Sequence, residues 1–129
     1  MNYSRQRQAI MDFLCDRKDH PTADTVYRNL RKTIPSISLG TVYRNLNLLA
    51  EHGSIRRVRG IDGSEHFDAD TTDHQHFICR CCGIVEDILL PERQMSEIIR
   101  QEAQKGFAGI IETSDFYFLG VCCSCYKKQ

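Results

Sequence analysis

Two pairs of cysteines have a spacing that suits metal chemistry. Cys79 and Cys82 form one Cys-x-x-Cys pair, and Cys122 and Cys125 form a second pair near the end of the chain. Two such pairs, each held in a tight turn, supply the four thiolates of a closed tetrahedral zinc site. The pattern favours structural zinc over free thiols, and an iron–sulfur cluster or a dithiol redox centre are the remaining alternatives.

Three further cysteines fall outside these pairs: Cys15, Cys81 and Cys123. Cys81 and Cys123 each lie beside a zinc-ligand candidate, but adjacent and i,i+2 thiols close around zinc less readily than i,i+3 thiols. Both are therefore predicted to be non-ligands, and their thiol chemistry stays open. Cys15 lies in a helical pattern of apolar residues and is predicted to be a small core residue.

A second group of potential metal ligands flanks the first cysteine pair. Asp68 and the run Asp73-His74-Gln75-His76 precede it, and Asp87 follows it. In a strand, His74 and His76 project from one face, and Asp87 in the next strand can return to that face. This mixture of imidazole and carboxylate suits Fe(II) or Mn(II) better than tight structural zinc, although a single histidine here would be read as a solvated strand residue.

A helix with a polar and aromatic face offers a different chemistry. Residues 38–46 read Ser-Leu-Gly-Thr-Val-Tyr-Arg-Asn-Leu, with Leu39, Val42 and Leu46 predicted to point inward. In a winged helix, the exposed face of this third helix enters the DNA major groove. The predicted base and phosphate contacts on the helix are Thr41, Tyr43, Arg44 and Asn47. On the following hairpin the predicted phosphate contacts are Arg56, Arg57 and Arg59. An ordinary solvated helix is the alternative.

The elements around this helix predict a winged helix-turn-helix. Ser4, Thr22 and Ser38 are predicted to cap three successive short helices, and Gly53 closes the third in a left-handed turn. The segments 55–58 and 65–68 flank the turn 60–63, which is a strand–turn–strand signal.

The second half of the chain has a different pattern. The polar run 69–73 is predicted to be a linker, and 75–79, 84–89, 109–112 and 116–121 are predicted to be strands. Pro91 is predicted to open a helix whose residues Met95, Ile98 and Ile99 point inward. The predicted class is therefore α+β: the winged helix-turn-helix plus a small α/β unit.

Length and charge are consistent with this division. The 129 residues suit one ordinary domain or two small ones, and small domains commonly need a metal or a partner chain for stability. Residues 1–66 carry 11 Lys/Arg against 7 Asp/Glu, whereas residues 67–129 carry 6 against 10. The basic half suits a polyanion and the acidic half suits cations. The chain contains no signal peptide or membrane-span pattern, which together with its free thiols predicts a cytoplasmic protein.

Several segments, taken in order, resemble the ferric uptake regulator (Fur) family. They are His20-Pro21-Thr22-Ala23-Asp24-Thr25-Val26-Tyr27, then 38–46, then His74-Gln75-His76-Phe77-Ile78-Cys79 with Cys82-Gly83, and finally Cys122 with Cys125. The match covers almost the whole chain and is most similar to the peroxide-responsive branch of the family.

The resemblance implies a homodimeric, metal-responsive repressor that binds a palindromic operator. It implies residues 1–68 as the winged-helix DNA-binding domain, 69–73 as a linker and 74–129 as a zinc-containing dimerisation domain. It also implies a regulatory Fe(II) or Mn(II) site formed by His20, Asp68, His74, His76 and Asp87. On spacing alone His20 reads as a loop residue at a helix end, so only the resemblance makes it a ligand.

Aspartate at positions 68 and 87 bears on what the regulator senses. In the family, iron-uptake members usually carry glutamate at the first position, and aspartate at the second is associated with peroxide sensitivity. Residues 110–115 lack the histidines that form a further metal site in many members, so no third site is expected. The sequence thus predicts a peroxide-sensing repressor and not an enzyme. An iron- or zinc-uptake repressor is the alternative, and a metalloenzyme or dithiol oxidoreductase is a more distant one.

Overall fold

The computed structural model describes residues 3–15, 17–72, 74–89, 95–112, 114 and 116–128, except for the side chains of Tyr3 and Ser4. The first half contains helices α1 (Tyr3–Leu14), α2 (Ala23–Leu30) and α3 (Leu39–Glu51), followed by strands β1 (Arg56–Arg59) and β2 (Glu65–Asp68). β1 and β2 form an antiparallel two-stranded sheet, which we call the wing hairpin (residues 56–68). This arrangement is the predicted winged helix-turn-helix.

One hydrophobic core holds the three helices and the wing hairpin together. Its buried residues recur at helical spacing, so that each helix turns one apolar stripe inward. They include Ile10, Leu14, Val26, Val42, Leu46, Leu49, Ile55 and Phe67. Leu39 is an exception to the predicted pattern because it is 36% exposed at the start of α3. Cys15 is exposed as well, so its prediction as a core residue was wrong.

Side-chain caps determine where two of the helices begin. The hydroxyl oxygen of Thr22 accepts a hydrogen bond from the backbone N–H of Thr25, and Ser38 does the same for Thr41, as predicted. α1 already includes Ser4, whose side chain lies outside the described residues, so that cap stays a prediction. Gly53 has φ +77° after the end of α3, which is the left-handed conformation expected there.

The cap of α3 can be tested by replacing Ser38 with alanine. We expect the free energy of unfolding to fall by about 1 kcal/mol, because the N–H of Thr41 loses its acceptor. Urea titration followed by circular dichroism measures this loss. Ser36→Ala, at an exposed position before the helix, is the matched control. Equal stability of the two variants would show that the cap contributes nothing.

The second half contains strands β3 (Gln75–Cys79), β4 (Val85–Ile88) and β5 (Tyr117–Gly120) and helices α4 (Met95–Lys105) and α5 (Cys123–Lys127). The strands form one sheet in the order β4–β3–β5, in which β3 pairs antiparallel with β4 and parallel with β5. The predicted linker residues 69–72 contain no helix or strand, and Asp73 lies outside the described residues. The predicted start of α4 at Pro91 also lies outside them.

The prediction of a strand over 109–112 was wrong, and the side chain of Gln104 explains why. Its amide nitrogen donates to the carbonyls of Phe107 (3.2 Å) and Gly109 (2.7 Å), and its oxygen accepts from the N–H of Ile111 (2.8 Å). These backbone groups therefore have side-chain partners instead of a neighbouring strand.

The apolar face of α4 also departs from the prediction. Met95, Ile98 and Ile99 are 39%, 42% and 45% exposed, so they do not point into a core of this chain. None of the residues of α4 is fully buried. Among the described residues, no helix is both long enough and apolar enough to cross a membrane.

Candidate metal centres and nucleic-acid interface

The structure brings one group of histidines and aspartates together at the junction of the two halves. This His–Asp cluster consists of His20, Asp68, His74, His76 and Asp87. One potential ligand atom from each residue lies within 4.8 Å of all the others. All are buried except Asp87, which is half-buried.

Four separate elements position these side chains. His20 lies in the loop between α1 and α2, and Asp68 is the last residue of β2. His74 immediately precedes β3, His76 lies within it, and Asp87 lies in β4. The antiparallel register places His76 directly opposite Asp87, which explains why residues eleven positions apart meet.

The imidazole Nε2 atoms all point toward the two carboxylates. Oδ2 of Asp68 lies 3.2, 2.9 and 3.2 Å from Nε2 of His20, His74 and His76, respectively. Oδ1 of Asp87 lies 2.7, 3.2 and 3.4 Å from the same three atoms. The Nε2 atoms of His74 and His76 are themselves only 3.0 Å apart.

Backbone carbonyls determine which ring nitrogen is available to a metal. A carbonyl can only accept, so Nδ1 of His20 donates to the carbonyl of Val85 (3.1 Å) and Nδ1 of His74 to that of Thr72 (2.8 Å). Each neutral ring then presents its Nε2 lone pair to the centre of the cluster. Outer hydrogen bonds of this kind orient histidines in metal sites and raise their basicity.

The two carboxylates of the cluster favour a positive charge at its centre. Burial alone would raise the pKa of Asp68, but hydrogen bonds with His20 and His76 hold it well below its usual range. Burial lowers the pKa of His20, yet the carboxylates of Asp68 and Asp87 outweigh that effect and raise it. A proton or a metal ion is thus favoured among these groups.

The spacing of the donor atoms fits a metal ion. Metal–ligand bonds of about 2.1 Å place cis donors of an octahedral ion about 3.0 Å apart and trans donors about 4.2 Å apart. The measured separations of 2.7–3.4 Å and the outer limit of 4.8 Å bracket these values. An open cleft of about 430 Å³ adjoins Asp87 and is lined by Lys18, Asp19, Ile84, Val85 and Glu86 as well.

The four paired cysteines form a second group, the four-cysteine cluster (Cys79, Cys82, Cys122 and Cys125). Their sulfur atoms lie within 4.8 Å of one another, and the Sγ atoms of Cys82 and Cys122 are 3.7 Å apart. Tetrahedral Zn–S bonds of about 2.3 Å require a separation of about 3.8 Å. β3 supplies Cys79, and the tight turn after it, with φ +79° at Gly83, supplies Cys82.

Backbone N–H groups stabilise the thiolate form of one of these sulfurs. The N–H groups of Cys122 and Cys81 donate to Sγ of Cys79 at 3.3 and 3.4 Å. Hydrogen bonds of this kind, the one from Cys122 foremost, lower the pKa of Cys79 to about 5, whereas hydrogen bonding to Cys122 raises that of Cys125 to about 12. Without a metal, the four sulfurs thus favour a thiolate at Cys79, and a bound zinc ion would deprotonate the others as well.

The remaining cysteines lie outside this group. Cys81 and Cys123 are both exposed, although each is adjacent in sequence to a member of the four-cysteine cluster. The guanidinium of Arg80 is 4.0 Å from Sγ of Cys81.

The predicted DNA-binding residues form a continuous surface on α3 and the wing hairpin. Thr41, Arg44 and Asn47 follow one another at a spacing of one helical turn, and Tyr43 beside them is 45% exposed. The guanidinium of Arg57 donates to the side-chain oxygen of Asn47 at 3.1 Å, which connects the helix with the hairpin.

Arg56 does not belong to this surface. It is half-buried, and its guanidinium donates to the carbonyls of His74 (3.2 Å) and Thr72 (3.4 Å). That Arg56 contacts phosphate stays a prediction. In the structure its guanidinium binds the backbone of Thr72 and of His74, which is a member of the His–Asp cluster.

Comparison with known proteins agrees with this geometry. The model of the ferric uptake regulator family matches residues 1–110. The chain belongs to the ferric uptake regulator family. Members of this Fur family are transcriptional regulators, so the chain is a regulator and not an enzyme.

Two curated Fur relatives are named for peroxide. The peroxide operon regulator of Bacillus subtilis is 36% identical over 124 residues, which cover 96% of this chain and 83% of that protein. The peroxide-responsive repressor PerR of Staphylococcus aureus is also 36% identical over 124 residues, covering 95% of this chain and 81% of that protein.

Solved Fur-family structures share the α+β fold. The Campylobacter jejuni peroxide stress regulator superposes with a TM-score of 0.77 at 26% identity, covering 94% of this chain and 88% of that one. A zinc-bound manganese uptake regulator gives 0.66 at 27% identity, covering 95% and 91%. The winged helix-turn-helix followed by a small α/β unit is thus the fold of this Fur-family chain.

Sequence reasoning did not identify the groups that orient the ligands. The carbonyls of Val85 and Thr72 carry no sequence signal, because any residue type provides them. His66 and Arg56 contact the backbone of cluster residues distant in sequence, so spacing along the chain could not reveal them.

Proposed function

We propose that this Fur-family chain is a metal-dependent, DNA-binding repressor that senses peroxide through Fe(II) or Mn(II) held by the His–Asp cluster. The observation that carries the proposal is the convergence of five donor atoms from both halves of the chain within 4.8 Å. Three imidazoles and two carboxylates suit these ions better than tight structural zinc. The names of the two relatives at 36% identity support peroxide as the signal.

We assign residues 1–68 to a winged-helix DNA-binding domain, 69–73 to a linker and 74–129 to a zinc-containing dimerisation domain. His20 and Asp68 then belong to the first domain, and His74, His76 and Asp87 to the second. Coordination by all five residues holds the two domains in one relative orientation. Metal and DNA favour the same conformer, so each strengthens the binding of the other.

The four-cysteine cluster takes the structural role in this proposal. It has four sulfur donors and no imidazole or carboxylate, which suits a closed zinc site without an open coordination position. A small sheet with few buried residues gains folding free energy from such a site.

The exposed surfaces of the chain suit DNA and a second copy of the chain. Thr41, Tyr43, Arg44 and Asn47 on α3, together with Arg57, would contact double-stranded DNA in the cytoplasm. The exposed apolar residues of α4 and β5, among them Ile98, Ile99, Phe118 and Leu119, would be covered in a homodimer. The two-fold symmetry of a dimer matches a palindromic operator.

Peroxide sensing requires that the His–Asp cluster lose one of its metal-binding side chains. Bound Fe(II) would supply the single electron that breaks the O–O bond of peroxide and would regain it from the oxidised ring. The net donor of two electrons would then be the ring of His20 or His74: it would gain one oxygen atom of peroxide at a ring carbon, and the other oxygen atom would leave as water. Asp87, whose side chain is 20% exposed beside the open cleft, provides the route for peroxide, since the other four ligands are almost fully buried.

A comparison of the Fe(II) and Mn(II) forms tests this function. We expect both forms to bind operator DNA, but only the Fe(II) form to release it after peroxide and to gain the mass of one oxygen atom on His20 or His74. Electrophoretic mobility shifts and mass spectrometry of peptides measure these outcomes. Asp87→Glu should keep metal-dependent DNA binding and weaken the peroxide response. DNA release without oxygen on either histidine would contradict the proposed route.

Metal supply is the second candidate signal. The likeness to a zinc-bound manganese uptake regulator favours it, because the same cluster could report metal concentration. In that case DNA binding would follow the free metal concentration, and peroxide would have no effect on the Fe(II) form.

A further inference from the structure

The wing hairpin contacts the metal-binding region in more ways than by supplying Asp68. Val58 of β1 is buried against Ile78 of β3 and Val85 of β4, so the hairpin packs on the second sheet. Arg56 at the start of β1 donates to the carbonyl of His74. The hairpin therefore packs on the sheet that carries His76 and Asp87 and also binds the backbone of His74.

His66 makes the corresponding contact on the other side. Its Nδ1 lies 2.7 Å from the backbone carbonyl of His20, and because a carbonyl can only accept, Nδ1 is the donor. A backbone bridge between Thr22 and His66 and a hydrogen bond from the N–H of Phe67 to the carbonyl of Pro21 join the same segments. β2 thus clamps the loop that carries His20.

His20 needs such support because of its backbone conformation. Its φ is +50°, and among the described residues it is the only non-glycine with a positive φ. A non-glycine in this left-handed region costs free energy and persists only where its surroundings hold it. Its carbonyl is bonded to His66 while its Nε2 faces Asp68 and Asp87, so the hydrogen bond controls the direction of the ligand.

The contacts of His66 continue to the turn of the wing. Its Nε2 lies 3.2 Å from Oγ of Ser64, which lies 2.6 Å from Oδ1 of Asp62 in the exposed turn. A Cβ atom added to Gly60 would fall 2.7 Å from Nε2 of His66, so the ring is seated directly on the backbone of the turn. A chain of contacts therefore joins Asp62 in the turn of the wing hairpin to His20, through Ser64 and His66.

We propose that His66 is a positioning residue that presets His20 as a metal ligand and couples the wing hairpin to occupation of the His–Asp cluster. The proposal rests on the regulatory metal site proposed above. When His20 is held by metal, its carbonyl holds the ring of His66 and, through it, the turn of the wing. Loss of His20 as a ligand releases the same contacts.

Substitutions of His66 in the zinc-loaded, 129-residue chain test the first part of this proposal. His66→Phe keeps a ring of similar size but removes the donor, and we expect Mn(II) affinity to fall about 10–100-fold. His66→Asn places an amide N–H near the position of Nδ1 and should recover most of that loss. Competition titration with a Mn(II)-binding dye measures the affinities, and zinc content should be unchanged.

His52→Phe, at an exposed histidine after α3, is the matched control and should bind Mn(II) like the unmodified chain. Equal Mn(II) affinity of His66→Phe and the unmodified chain would overturn the proposal. Failure of the unmodified chain to bind Mn(II), or binding that survives Asp68→Asn, would instead overturn the proposed regulatory site, so the two failures are distinguishable.

Amide hydrogen exchange tests the coupling to the wing. In the unmodified chain, saturating Mn(II) should slow exchange in β1 and β2. In His66→Phe, saturated at a higher Mn(II) concentration, we expect this slowing to be lost. A purely structural role for His66 would raise exchange equally with and without Mn(II) and leave the metal-induced slowing in place, which would overturn the coupling.

Discussion

Replacing Cys79 by serine is expected to abolish stoichiometric zinc binding and to unfold the second sheet. Cys79 is buried at the end of the central strand β3, and its sulfur accepts hydrogen bonds from two backbone N–H groups. Structural zinc contributes about 10–16 kcal/mol to folding in zinc-finger peptides, which exceeds the net stability of most small domains. Elemental analysis, circular dichroism and limited proteolysis measure the loss.

Cys81→Ser is the matched control for this experiment, because Cys81 is two residues away and its thiol is exposed. We expect the control to keep its zinc and its resistance to protease. A Cys79→Ser variant with full zinc content and an intact fold would remove Cys79 from the site. Loss of zinc from Cys81→Ser would mean that Cys81 takes part after all.

Replacing Asp68 by asparagine is expected to have the largest effect on regulation. One oxygen of Asp68 lies within 3.2 Å of all three Nε2 atoms of the cluster, so the substitution removes a charge that every imidazole faces. We expect Mn(II) affinity to fall by more than the roughly 100-fold seen for residues that only orient ligands. DNA binding should then no longer respond to metal, while the zinc content stays unchanged.

Asp70→Asn is the charge-matched control: the carboxylate of Asp70 accepts hydrogen bonds from Thr72 and lies 3.9 Å from Nδ1 of His74, so it does not face the Nε2 atoms at the cluster centre. The metal-free protein offers a second measurement. Since the pKa of Asp68 is lowered on folding, its carboxylate stabilises the fold above its ordinary pKa and stops doing so as the pH falls. Acid should therefore destabilise Asp68→Asn less steeply than the unmodified chain. Mn(II) binding by Asp68→Asn at full affinity would refute its role.

Local patterns in the sequence predicted much of the fold. The caps Thr22 and Ser38, the apolar stripes of the first three helices and the hairpin turn each depend on residues a few positions apart. The same holds for β3, whose bounds Gln75–Cys79 were predicted from its position before the turn at Cys82-Gly83. Each signal is local, so it can be read without knowing the tertiary structure.

Several failures involve contacts that periodic patterns along the chain do not encode. The segment after α4 is not a strand because one glutamine side chain satisfies its backbone, and no periodicity encodes such a contact. The apolar face of α4 was assigned to a core because its pattern does not distinguish a core from a surface that another chain could cover. His20 could be placed among the ligands by family resemblance but not by spacing, since 48 positions separate it from Asp68.

The central strand β3 carries a member of each proposed metal site, His76 and Cys79, three residues apart. Because β3 pairs with both β4 and β5, loss of order at its Cys79 end would also loosen the register that places His76 opposite Asp87. We therefore expect the sites to fill in a fixed order during maturation of the protein, zinc first and the sensing metal second. If the proposed roles hold, a newly made chain would not respond to the sensing metal until zinc had bound, so zinc supply would set how quickly DNA binding becomes metal-dependent.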